Sequence, residues 1–268
     1  MRRLIPFDCA GETLFGTLDE GMCEVGLLIV SGGNEIRMGA HRGMATLAQR
    51  LSHAGFPCFR FDRRGVGDSS GENRGFEHSR EDIAAALREF RRQAPRLRRI
   101  VAFGNCDAAT ALALFHGDLG IDALVLANPW IVETGDDALP PPAAIRARYL
   151  ERLRDPGAWL RLLRGGVDLR KAWRGIRRLT AERGAGDALG TRFADALATS
   201  AAPVTILLAE RDNTARAFSA AWGRLADRGL RARIALRRLP SASHSFAPPA
   251  DKAWLEQQII AALESAAR

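Results

Sequence analysis

The chain has 268 residues, 47% of them hydrophobic, and a formal net charge of +8. That length and hydrophobicity suit one α/β domain with an insertion and exclude a disordered chain. All but two of the 39 basic residues are arginine, the exceptions being Lys171 and Lys252, so the charge reflects a GC-rich coding sequence more than selection for a polyanionic partner. No nucleic-acid motif or aromatic-basic interleaving accompanies the arginines, and specific nucleic-acid binding is not expected. Weak attraction to anionic substrates or an anionic membrane surface remains open.

Cys9, Cys23, Cys58 and Cys106 form no CxxC and no metal spacing, so a reducing cytoplasm is the expected home. The first three read as small buried hydrophobes. Neither a metal nor an organic cofactor is suggested. Met1-Arg2-Arg3 is basic, but Pro6 and Asp8 follow Leu4-Ile5 at once, which leaves no apolar core for a signal peptide. No apolar run approaches the roughly 18 residues of a membrane span.

In chain order, Leu4 to Leu18 alternates and reads as one or two edge strands. Val25 to Val30 reads as a buried strand ending in Ser31-Gly32-Gly33-Asn34. A helix is expected over Gly43 to Ala54, then a strand over Pro57 to Phe61. The Asp62 to Ser69 loop reads as a structural turn beside a site. Ser79 with Asp82 suggests a capping box for a helix carrying Ile83, Leu87 and Phe90 on one stripe. Ile100 to Phe103 and Ala123 to Ala127 read as buried strands. From 131 to 200 the strand signal stops. Pro140-Pro141-Pro142 and arginine-rich amphipathic segments with Trp159 suggest a helical cap between two core segments, 1–130 and 201–268. Strands return at Pro203 to Ala209 and Arg233 to Leu239, and a last helix runs from Asp251 to Ala266. Strand and helix alternate, which implies a mostly parallel sheet covered on both faces.

The chemistry gathers at the strand ends. Gly104-Asn105-Cys106-Asp107-Ala108 lies between the strand at Ile100 to Phe103 and the helical run that opens at Ala109. Small residues two before and two after Cys106 give a nucleophile elbow with cysteine in place of serine. The turn is strained, and the helix N-terminus beneath it favours negative charge. Asp212 follows the strand ending at Ala209, and His244 follows the last strand. In this reading Cys106 attacks a carbonyl, His244 moves the proton, and Asp212 orients the imidazole, with Glu210 and Asp227 as alternative acids. The N–H of Asp107 and one from Gly33 or Asn34 hold the oxyanion. Trp130, Trp159 and His41 are candidates for substrate contact. His53, His78 and His116 read as structural.

The order nucleophile, acid, histidine is that of the α/β-hydrolases. Arg60-Phe61-Asp62-Arg63-Arg64-Gly65-Val66-Gly67-Asp68-Ser69 resembles their strand-loop signature. Gly32-Gly33-Asn34 leading to Gly39-Ala40-His41-Arg42, Gly104-Asn105-Cys106-Asp107-Ala108-Ala109, Asn128-Pro129-Trp130, Arg211-Asp212-Asn213-Thr214 and His244-Ser245-Phe246 are similar to segments of the exosortase A system-associated hydrolase 1 group. Arg63 stands where that group usually has an aromatic residue. The resemblance implies an α/β-hydrolase fold with a helical cap. It also implies a bacterial enzyme linked to exopolysaccharide and protein-sorting systems, without naming a substrate. Hydrolysis of a small-molecule acyl ester or thioester is the leading expectation. Acyl transfer through the same cysteine is the close alternative, and a non-catalytic binding protein of the same fold is a third.

Overall fold

In a computed structural model of the chain, the residues described are 1–131 and 188–268. β1 (Arg2–Cys9) and β2 (Glu12–Asp19) form an antiparallel hairpin. Its turn places Ala10 and Gly11 at φ 53° and 85°, the left-handed pair that matches strand twist. β2 pairs on its other side with β4 (Cys58–Phe61), so only β1 is an edge strand of the two. β3 (Val25–Val30), β5 (Arg99–Asn105), β6 (Ala123–Ala127), β7 (Val204–Ala209) and β8 (Ala235–Leu239) complete an eight-stranded sheet, ordered β1-β2-β4-β3-β5-β6-β7-β8. From β4 to β8 every pairing is parallel.

Strand periodicity divides the core into two layers. Leu28 and Val30 of β3 face one layer with Ile100 and Ala102 of β5; Leu27, Ile29, Val101 and Phe103 face the other. α1 (Gly43–His53) and α7 (Pro249–Ala267) cover the second layer through Leu47, Leu51, Leu255 and Ile259. α2 (Arg80–Gln93), α3 (Asp107–Phe115), α4 (Ala188–Ala198) and α5 (Asn213–Leu225) cover the first. α4 falls within the segment expected as a cap, yet Phe193 packs edge-on against Phe218 at 5.9 Å, inside the main core. The rest of the expected cap, with Pro140-Pro141-Pro142 and Trp159, lies outside the described residues.

Two local expectations need correction. Ser79 sits at the N-cap of α2, but its hydroxyl donates to the carbonyl of Phe76, and Asp82 is taken by Arg64, so no capping box forms. The strand expected from Arg233 starts at Ala235, because Asp227 caps α6 (Arg228–Arg233) through the Leu230 N–H at 2.7 Å. That cap holds the chain helical through Arg233.

Candidate active site

β3 lies between β4 and β5, so the chain reverses its winding there. Connections from two neighbouring strands then leave in opposite directions and open a crevice at their carboxyl ends. The register pairs Val30 with Gly104, which sets Gly32-Gly33-Asn34 beside Asn105-Cys106.

Cys106 has φ 61° and ψ −126°, strained for any residue with a Cβ. The strain is held from both sides. The Cys106 N–H donates to Ala127 at 3.0 Å, and its carbonyl accepts from Trp130 at 3.2 Å. Gly104 is obligatory, since a Cβ there would meet the Ala108 backbone at 2.8 Å. Gly32 is similarly constrained, with Asn105 O at 2.8 Å and the Asp107 carboxylate closer still. The Cys106 side chain is half-buried, whereas Cys9 and Cys58 are core thiols. Burial pushes Cys9 up to about 11, and Cys58 rises further for the same reason.

Asp212 ends the β7 loop and caps α5, accepting from Ala215 N–H at 3.1 Å. Its other contact is His244 Nδ1, at 3.0 Å. That hydrogen bond, then the neighbouring Cys106 side chain, raises His244 to about 10, against the opposing effect of burial. Burial alone would lift Asp212. The hydrogen bond and charge of His244, with backbone amides of α5, outweigh it and hold the carboxyl below its ordinary value. Cys106, His244 and Asp212 therefore meet in one crevice. Glu210 instead faces Arg238, and Asp227 is spent on α6.

The histidine loop is fastened to three strands. Asn105 and Asn128 each donate a side-chain N–H to the His244 carbonyl at 3.1 Å. Asn128 is fully buried, also donates to Asn105 Oδ1 at 3.2 Å, and accepts from Ala209 N–H at 2.9 Å. The Arg211 N–H reaches Ser241 O at 2.8 Å, joining acid loop to histidine loop. Phe246 stacks on Trp254 at 6.0 Å and anchors the far end. The two asparagines were not singled out from sequence as site residues. The available signal was a carboxamide at the end of each of two apolar strands.

The other expected residues divide. Trp130 is half-buried and bonded through its backbone to Cys106. His41 is exposed at φ 51° on the turn before α1. The Gly33 N–H donates to both carboxylate oxygens of Asp107, at 2.8 and 3.0 Å, and so is not open to an oxyanion here. Asp62, fully buried, binds Arg37 and the Asp68 N–H at 3.2 Å, which gives its loop a structural role. Among the described residues no cluster of acidic, histidine and cysteine side chains is placed to hold a metal. None of their helices is long and apolar enough to cross a membrane.

A strained elbow, an acid and a histidine at the carboxyl ends of one mostly parallel sheet define the α/β-hydrolase class of fold. Residues 27–256 match the model of the alpha/beta hydrolase family, and the chain belongs to that family. An esterase of Pyrococcus furiosus is similar over 99% of this chain and 90% of its own, with TM-score 0.64 and 14% identity. A haloalkane dehalogenase of Agrobacterium tumefaciens is similar over 99% and 97%, with TM-score 0.64 and 14% identity. A thioesterase domain from the curacin biosynthetic pathway is similar over 97% and 99%, with TM-score 0.59 and 14% identity. At these identities the likeness is one of fold. Among curated proteins none matches the chain.

Proposed function

We propose that the chain hydrolyses a small-molecule acyl ester or thioester through an acyl-Cys106 intermediate. The observation that carries this reading is the 3.0 Å Asp212–His244 bond in the crevice of the strained Cys106. The Cys106 thiolate adds to the acyl carbonyl carbon, and the carbonyl electrons move onto oxygen. That oxyanion is met by the Asp107 N–H and by an N–H of the β3 loop. Collapse breaks the bond to the leaving alcohol or thiol, which takes a proton from imidazolium His244. A water then adds to the thioester carbonyl, giving its proton to His244. The second collapse releases the carboxylic acid and restores thiolate and imidazolium. Asp212 keeps the Nδ1 proton in place throughout.

The raised value of His244 supports its standing as imidazolium at neutral pH, the form that protonates a leaving group. Trp130, bonded through its backbone to Cys106, is proposed as one wall for the acyl group, and the segment carrying Trp159 is proposed as the cap over it. His41, exposed on the turn before α1, is proposed as a contact at the rim. Four unpaired cysteines support a reducing compartment, the cytoplasm. The link to bacterial exopolysaccharide and exosortase systems rests on the resemblance of the motifs alone.

The test is steady-state turnover of p-nitrophenyl acetate and acetyl thioesters by wild type and Cys106→Ala. The reading requires wild-type turnover that falls by about 10⁴-fold or more in the variant. Equal rates in the two proteins would overturn it. Product carrying the acyl group on an added alcohol or amine would redirect it to acyl transfer.

A further inference from the structure

We infer that Arg63 is a positioning residue for the oxyanion hole, turning the Gly33–Asn34 peptide so that the Asn34 N–H becomes the second donor. This rests on the catalytic reading above and adds a residue to it. The argument begins with the turn from Gly32 to Glu35. Of its three inner amides, Gly33 N–H is bound by the Asp107 carboxylate at 2.8 and 3.0 Å. The Glu35 N–H is bound by Gly32 O at 2.9 Å. Among the described residues the Asn34 N–H meets no acceptor, and its exposed residue is steadied by a bond from Asn73 Nδ2 to Asn34 Oδ1 at 2.7 Å.

The direction of that N–H is set by its own peptide. The Gly33 carbonyl accepts from Arg63 Nη2. In a trans peptide the C=O and N–H point opposite ways, and the described chain has no cis bonds. The Asn34 N–H therefore points away from Arg63. Arg63 is rooted just past β4, on one side of β3, while Cys106 follows β5 on the other. Guanidinium and carboxylate thus grip the same glycine from its two flanks, leaving the Asn34 N–H turned toward the cysteine side.

Arg63 also differs from its neighbours. Arg37, Arg60 and Arg64 each pair with a carboxylate, Asp62, Asp19 and Asp82 respectively. Arg63 is 4% exposed and forms no ion pair among the described residues. Burying a cation without a counter-charge is costly, so its retention beside a carbonyl fits a local task. Its charge also favours negative charge arriving on the same loop.

The test compares two reactions at Cys106. Alkylation by iodoacetamide displaces iodide and builds no carbonyl oxyanion; acylation by p-nitrophenyl acetate does. For Arg63→Gln the inference expects acylation, read as the rate of the pre-steady-state p-nitrophenol release, to fall about 10- to 100-fold, short of or equal to loss of a whole donor. KM should change little, and alkylation should stay within about twofold. Arg63→Lys, which keeps a donor and a charge, should recover part of the loss and serves if Arg63→Gln does not fold. Equal losses in both reactions, or no loss of acylation, would overturn the inference while leaving the catalytic reading intact. A wild type that alkylates but is never acylated would overturn both.

Discussion

Cys106 and His244 are held in opposite ways. The cysteine is held by its own backbone, in a positive-φ turn squeezed between Gly104 and Ala108. The histidine is held by side-chain amides that arrive from β5 and β6, and by an acid from the β7 loop. Under the proposed mechanism, local strain would aim the attacking atom, while long-range hydrogen bonds would aim the proton carrier. A nucleophile must stand at one point, whereas a histidine must exchange protons with two partners in turn. A loop tethered at its carbonyl leaves the ring able to do so.

The comparison can be broken most severely at the cysteine side. Cys106→Ala should remove ester turnover, about 10⁴-fold or more, with little change in fold. Gly104→Val should act through the backbone, because its Cβ would overlap Ala108 at 2.8 Å. It should destabilise by about 2–3 kcal/mol in urea unfolding and lose activity with it. On the histidine side, Asn128→Ala strips one tether and leaves the Ala209 N–H without its partner. A cost of about 1–3 kcal/mol is expected. An additional fall of about tenfold in kcat, with KM near wild type, would separate positioning from mere stability.

The smallest effect is the pH dependence of stability. His244 rises from about 6.5 to about 10 on folding, so its contribution is complete below about 6.5 and is lost as pH climbs through 10. The thermal stability gap between wild type and His244→Gln should therefore be wide near pH 6.5 and close by about pH 10–11. A gap that widens over that range would show the sign to be wrong.

These two kinds of support were unequally visible in the sequence. The elbow is five consecutive residues, and its small-residue spacing is readable without knowing the fold. Asp212 and His244 were readable from their place after the last two strands, although β8 carries Arg237 and Arg238. The tethers were not, because Asn128 and His244 are 116 residues apart and only the register brings them together. The sequence leaves Gly33 and Asn34 as alternative oxyanion donors, and it could not show that the Asp107 side chain, 74 residues away, occupies the Gly33 N–H. Likewise Ser79 carried a capping signal that lost to a local bond with Phe76 and to Arg64's hold on Asp82. The central strands β3 and β6 were legible because burial on both faces leaves an uninterrupted apolar run.

The most direct test of the central claim is capture of the acyl-enzyme. Wild type, His244→Ala and Cys106→Ala would be mixed briefly with p-nitrophenyl acetate, quenched in acid and read by intact and peptide mass spectrometry. The account predicts one acetyl group on Cys106 in wild type, strongly reduced in His244→Ala and absent from Cys106→Ala. Slow, equal acetylation of several cysteines, indifferent to His244, would contradict it.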